Sequence, residues 1–416
     1  MREHIAIIGG GASGFFLSIE LKRILPDVKV TIFEKSKKCL SKVEISGGGR
    51  CNCTNTFKGV DTLKSIYPRG EKVMKKIFKE FNHEDTCEWF ENHGVKLIAQ
   101  DDNCIFPKTQ DSKTIINCFL REAMSLGVEI KNGYTLDGIN IDADGMFMLS
   151  FKEHEEQYSS DFLSLTIGGQ PKYNWILQTL EKFGHSISMP CPSLFSFMID
   201  TVGLTSMPGL VIEKAILTLP STKFKCCDTL LITHKGISGP AVLKLSSLSA
   251  RFLSEKEYHY PILINWTGIN NVEDIETQID TIIKENGNKQ IGNVRCFNLQ
   301  NRLWIYLLEK AGIDNKKRWS EIGNKGRNRL VNILTNDEYK ISGRNMHKDE
   351  FVTCGGVGLD SINHNSMESK FIPNLFFAGE LLDIDAITGG FNLQAAWTTG
   401  YVAAHGIIRK INQQTL

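Results

Sequence analysis

Three glycines open the chemistry of this chain. Gly9-x-Gly11-x-x-Gly14 lies in IAIIGGGASGFFLSIELKR, between an apolar run and an amphipathic one. Gly9 permits a tight turn, Gly11 lets backbone approach a pyrophosphate, and Gly14 lets a helix pack closely on a strand. Phosphates placed there face a helix N-terminus, whose free N–H groups and dipole favour negative charge. Glu34 follows Gly14 by 20 residues, where a carboxylate takes the hydroxyl pair of a ribose. A structural turn beside a surface glutamate would carry the same letters. The strand before the glycines and the helix after them favour a dinucleotide.

Which dinucleotide is decided further along. SGGGRCN (46–52) is a second glycine-rich loop, which can present several N–H groups to an extended cofactor, and Arg50 adds a positive charge. Far downstream NLFFAGE (374–380) reads as an apolar strand ending at an acidic residue. TGGFNLQAAWTTG then puts Gly389-Gly390 before a helix. A helix N-terminus aimed at the pyrimidine edge of a flavin stabilises the anionic reduced ring. An NAD site needs neither later piece, whereas FAD has an adenine half and a flavin half to hold. The pattern therefore favours FAD, bound by opposite ends of the chain. It carries no recognised motif for covalent attachment.

With these motifs in view, the sequence resembles a bacterial FAD-dependent flavoprotein family that includes aminoacetone oxidase and BaiN-type bile-acid enoyl reductases. The resemblance spans essentially the whole chain and rests on IIGGGASG (7–14), ISGGGRCN (45–52), THKGISGPAVL (233–243), TCGGV (353–357) and LFFAGELLDIDAITGGFNLQAAW (375–397). It implies FAD contacts at Gly9, Gly11, Ser13, Gly14, Glu34, Lys35, Ser46, Gly48, Arg50, Asn52, Gly379, Asp385, Gly390, Asn392 and Leu393. It also implies an α/β fold: a discontinuous Rossmann-like FAD-binding domain with an inserted antiparallel β-barrel and a small helical subdomain. One departure is Leu40, where such proteins often carry glycine.

Other residues carry open readings. His234, before a Gly-x-Ser-Gly-Pro turn, is either a brace at a strand–helix corner or a proton donor to substrate. NKKRWSEIGNKGRNRL (315–330) is locally basic; a solvated helical face is the plainer reading, and RNA contact the alternative. Cys51-x-Cys53 is tighter than the usual redox pair and flanks the second loop. No second Gly-x-Gly-x-x-Gly appears, so NAD(P)H would visit only transiently as a reductant. The expected activity is hydride movement at flavin N5 to or from a small organic substrate. The enzyme would be either an enone or ketosteroid-type reductase or an amine or alcohol oxidase. An RNA-associated flavoprotein is the reading from another class.

The elements that position these residues follow from texture. HIAIIG and KVTIFEK read as buried parallel strands around a helix that ends before Pro26, and 71–93 and 112–126 carry helical periodicity. From about Pro190 strand-like runs recur, followed by polar helical segments to about 343; apolar strand, turn and helix then return. The expected domains are 1–190 with 344–416 for the cofactor, and an insert at 191–343 covering the flavin. Of 416 residues 41% are apolar and 23% charged, and 48 Lys+Arg nearly balance 47 Asp+Glu. The balance gives no global pull toward nucleic acid or membrane. Eleven scattered cysteines lack metal-ligand spacing, so no metal is expected. A first strand close to Met1 and irregular cysteines lead to the expectation of a cytoplasmic protein without a signal peptide.

Overall fold

The computed structural model describes residues 3–152, 154–170, 172–345 and 352–414. They form two compact units, Met1–Cys191 with Val352–Leu416, and Pro192–Phe351.

In the first unit the run HIAII forms β1 (His4–Ile8), with Ile5, Ala6 and Ile7 fully buried. Such a continuous apolar run is what a strand covered on both faces requires. The helix α1 (Ala12–Ile24) follows, and β2 (Lys29–Glu34) pairs parallel with β1, His4 opposite Lys29 and Ile8 opposite Phe33. On the other side of β1 lies Phe162–Leu165, also parallel, and beyond it Leu375–Phe377. Glu129–Asn132 extends the β2 edge in parallel. Two short antiparallel strands, Ile362–Asn363 and Glu368–Ser369, complete a seven-stranded sheet beyond Leu375–Phe377. The chain thus leaves this sheet after Leu165, re-enters it at the edge with Ile362–Asn363, and comes back beside the strand it left with Leu375–Phe377.

The C-terminal helix Phe391–Gln414 lies against α1 at short range. A Cβ on Gly400 would sit 2.9 Å from the Ser13 carbonyl oxygen, so the glycine sets how closely the two helices meet. Beneath them Phe16, Trp89, Phe119 and Trp397 pack ring on ring, with centroids 4.7 Å apart for Phe16–Trp89 and 5.3 Å for Phe119–Trp397. The helical stretch expected over 71–93 is two helices, Glu71–Ile77 and His83–Asn92. The first stops at Phe78, its C-cap, and Asn82 starts the second: its side chain accepts the N–H groups of Glu84 and Asp85, while Asp85 accepts from the Asn82 N–H.

In the second unit six strands close a barrel in the order Phe197–Ile199, Gly236–Ser238, Lys225–Thr233, Val211–Thr218, Tyr260–Asn265 and Asp337–Arg344, all antiparallel. Closure leaves no edge strand to be protected. Leu217, Leu230, Ile232, Ile262, Ile264 and Ile341 are fully buried. Helices Val272–Asn286, Asn301–Lys310 and Gly323–Thr335 form the helical part. Among the described residues no helix is long and apolar enough to cross a membrane.

One buried charge organises this unit. Asp337 is fully buried and accepts from Trp266 Nε1 (3.0 Å), Tyr339 Oη (2.7 Å) and the Lys310 ammonium. Removing one partner of a buried, hydrogen-bonded ion pair strands the others. Asp337→Ala is therefore expected to cost about 3–5 kcal/mol of stability, measured by urea unfolding. A loss under about 1 kcal/mol would contradict this network.

Candidate functional site

The site begins where β1 ends. Gly9 has φ +111°, and a Cβ there would lie 2.4 Å from the Thr166 carbonyl oxygen. Thr166 Oγ1 donates to the carbonyls of Ile8 (3.1 Å) and Gly9 (2.8 Å), fixing the turn to the neighbouring strand. A Cβ on Gly14 would lie 2.2 Å from the Gly9 carbonyl oxygen, so only glycine lets α1 start this close. Gly11 is different. Its backbone is extended and a Cβ would meet nothing within 4 Å. No side chain caps α1, which leaves its first N–H groups for an outside acceptor. The three glycines thus divide as the motif requires: two serve packing, and the middle one borders open space.

Glu34, at the end of β2, faces the same space. Its two oxygens accept from the N–H of Gly10 (2.9 Å) and of Ser36 (2.8 Å), so it also braces the glycine turn. Each carboxylate oxygen has a second acceptor position, which leaves room for ribose hydroxyls. The cleft here is lined by Gly9, Gly11, Ser13, Glu34, Lys35, Gly379 and Leu393 of the expected residues. Sequence reasoning missed Thr166, Gly168, Gly169 and a facing ion pair, Lys42 with Glu380 at 2.8 Å. Glu380 is held in turn by the Thr353 N–H (2.8 Å). Leu40, also on the cleft, has φ +58° and gives its N–H to the Gly10 carbonyl (2.8 Å). That left-handed backbone suits glycine better than leucine.

The remaining expected residues form a seam outside this lining. The helix α2 (Ser41–Gly49) breaks at Ser46, which is extended, and Gly47 and Gly48 turn left-handed. Ser46 Oγ donates back to the Val43 carbonyl (2.8 Å). Arg50 lies over the Phe106 ring at 4.3 Å, and its Nε donates to the Gly47 carbonyl (3.2 Å). With its amide oriented to satisfy both atoms, Asn52 donates to the Thr54 carbonyl (2.9 Å) and accepts from the Gly390 N–H (3.1 Å). Asn55 Nδ2 donates to the Gly389 carbonyl (3.0 Å), Thr54 Oγ1 to Gln394 Oε1 (2.5 Å), and Trp397 Nε1 to the Cys53 carbonyl (2.9 Å). A Cβ on Gly390, where φ is +87°, would lie 2.4 Å from the Thr54 carbonyl oxygen. Asn392 closes its own loop, accepting from the Ala386 N–H (2.9 Å) and donating to the Ala386 carbonyl (3.0 Å).

Asp385 is fully buried, and Arg69 engages both of its carboxylate oxygens, the Nε contact at 2.6 Å. The resemblance assigns this residue to the cofactor; the structure shows its carboxylate holding Arg69, a partner no local pattern announced. The Cys51 and Cys53 sulfurs lie 3.8 Å apart as free, fully buried thiols. Burial pushes the Cys53 thiol well up, which removes the thiolate that redox exchange needs. His234 belongs to the barrel unit, exposed at the turn between Lys225–Thr233 and Gly236–Ser238, with no side-chain hydrogen bond among the described residues. Pro240 opens the next helix, whose N-cap is Gly239.

The arrangement fits a dinucleotide: an uncapped helix start, a glycine with free space above it, and a carboxylate at the second strand. Residues 3–406 match the family model described as the HI0933-like protein Rossmann domain. The chain belongs to the HI0933-like family. This is a flavoprotein oxidoreductase family, which makes the protein a flavin-dependent oxidoreductase. Two relatives in it are similar end to end. A 3-dehydro-bile acid delta(4,6)-reductase of Clostridium scindens is 24% identical over 96% of this chain and 98% of that protein. A ribosomal RNA dihydrouridine synthase of Haemophilus influenzae is 26% identical over 97% of this chain and 98% of that protein. In fold the chain is similar to a 3-ketosteroid-delta4-(5alpha)-dehydrogenase from Rhodococcus jostii RHA1, with TM-score 0.51, 11% identity, and 97% and 96% of the two chains covered.

The glycines give a paired test. Gly11→Val is expected to leave the stability of the flavin-free protein within about 1 kcal/mol, yet to lose flavin on purification. Gly14→Val is expected to lower the melting temperature outright, because its Cβ meets backbone. Thermal unfolding and bound-flavin absorbance read both. Retained flavin in Gly11→Val would contradict the assignment of the open space.

Proposed function

We propose that the protein holds FAD non-covalently in the first unit and reduces a carbon–carbon double bond conjugated to a carbonyl in a small organic substrate. When bound, FAD supplies hydride transfer at its N5. The observation that carries this reading is the cleft at the β1–α1 turn. The N–H groups at the start of α1 would donate to the pyrophosphate there, and Glu34, which braces Gly10, would accept from ribose hydroxyls. Ser13 and Gly379 are in contact, since a Cβ on Gly379 would lie 2.5 Å from Ser13 Oγ. They bring the Leu375–Phe377 strand end to the same cleft, where Leu393 and Ala396 supply an apolar wall. The seam at Gly389–Gln394 fixes the start of the last helix, whose N–H groups would serve the charged edge of a reduced flavin.

The reaction class draws support from the two full-length relatives. Their names describe different substrates but one chemistry, addition of hydrogen across a double bond conjugated to a carbonyl: a dienone in one, the uracil ring in the other. With a single dinucleotide turn in the chain, NAD(P)H serves as a transient reductant. A second reading keeps the chemistry and places the acceptor in RNA; the name of the Haemophilus relative favours it.

Acid precipitation is expected to leave colourless protein and release FAD into solution; FMN, or colour retained in the pellet, would contradict the cofactor assignment. Under anaerobic conditions the reduced protein is expected to regain its visible flavin band on mixing with a 4-en-3-one or a uridine compound. Bleaching of the oxidised protein by amines or alcohols, with no reoxidation by either conjugated acceptor, would establish an oxidase instead.

A further inference from the structure

Between residues 284 and 330 the chain carries eleven Lys and Arg against four Asp and Glu, although its overall net charge is only +1. The fold concentrates this excess. Segments 287–292 and 315–320 run side by side: the Ile291 N–H donates to the Lys317 carbonyl (2.8 Å), that of Gly292 to Asn315 (2.8 Å), and that of Trp319 to Lys289 (3.0 Å). Fully buried Ile291 and Trp319 anchor the pair, Trp319 stacking on Trp304 at 6.2 Å. Lys289, Lys316, Lys317 and Arg318 therefore surround one short ladder, all exposed, although Lys289 is distant from the others in sequence. The helix Gly323–Thr335 adds exposed Lys325 and Arg329.

Nearby acids offset this group only in part. Asp314 accepts from the Lys316 N–H (2.9 Å) and Glu321 from the Arg318 N–H (3.0 Å). Asp280 and Glu276 pair with Arg327, and Asp337 with Lys310. Among the described residues none of Lys289, Lys316, Lys317, Arg318, Lys325 and Arg329 has an ion-pair partner. Six unpaired cations repel one another, and a polyanion relieves that repulsion while releasing its own counterions. A membrane surface would also call for apolar side chains beside the cations, and no large hydrophobic residue is exposed between 284 and 330 among the described residues. Exposed Asn288, Asn293, Asn324 and Asn328 stand among the cations instead, supplying the amide donors that contact phosphate and sugar.

We propose that this face docks the phosphodiester backbone of a nucleic acid. The inference goes beyond the reductase reading and does not depend on it, because binding is read at equilibrium without turnover. The test titrates the flavin-loaded full chain against a fluorescein-labelled RNA hairpin, the DNA hairpin of the same sequence, and phosphatidylglycerol vesicles. Log affinity for a hairpin is expected to fall linearly with log salt. The triple variant Lys316→Gln, Lys317→Gln, Arg318→Gln is expected to reduce that slope by about 2 to 3 and to weaken low-salt binding about tenfold or more. A matched triple change at exposed Lys75, Lys76 and Lys79 of the first unit should alter neither. Absence of hairpin binding at low salt, an equal loss in the matched variant, or vesicle binding as tight as hairpin binding would overturn the proposal.

Discussion

The first unit depends on one seam, the hydrogen bonds between residues 52–55 and residues 389–397. A loop rich in glycine and asparagine cannot satisfy its own backbone through helix or sheet, and buried N–H and C=O groups left unpaired are costly. Here the partners come from the other end of the chain. Asn52 receives Gly390, Asn55 reaches Gly389, Thr54 reaches Gln394, and Trp397 closes on Cys53. A side chain at Gly390 would force the two segments apart. The same contacts fix the start of the last helix, which then packs α1 through Gly400 and contributes Leu393 and Ala396 to the cleft. One wall of the cleft and the packing of the two principal helices are thus set by one constraint.

Electrostatics of the cleft follow from that packing. The α1 terminus offers N–H groups without a cap, and Glu34 is positioned by Gly10 and Ser36 rather than by another side chain. Burial and the nearby Glu34 carboxylate push the Cys39 thiol up to about 12. Cys39 therefore stays neutral and fills space beneath Gly10, where its sulfur would lie 2.8 Å from an added Cβ. The Lys42–Glu380 pair sits on the opposite wall, a charged border joining α2 to the end of Leu375–Phe377.

Much of this was legible in the sequence, because the signals were local. The apolar run before Gly9, the spacing to Gly14 and the position of Glu34 each follow from backbone geometry over a few residues. The barrel strands announced themselves by apolar runs between turns. What the sequence hid were pairings across hundreds of residues. Arg69 lies in an ordinary YPRGEK stretch, and nothing near it points to Asp385. The break of 71–93 into two helices was coded by Asn82 and Asp85, a capping signal inside a periodic run. Nothing in the basic stretch 315–330 shows that the fold sets Lys289 beside it. Glu34 shows a milder form of the same gap: its spacing predicts a ribose contact, while its bracing of Gly10 and Ser36 appears only in three dimensions.

In the proposed function, loops from both ends of the chain hold one flavin. Hydrogen exchange on flavin-loaded and flavin-stripped protein tests it most directly, since exchange reports local opening segment by segment. Loading is expected to slow exchange together in 9–14, 46–55 and 389–397. Protection confined to 9–14, with the other two segments unchanged, would contradict it and reduce the seam to a packing feature.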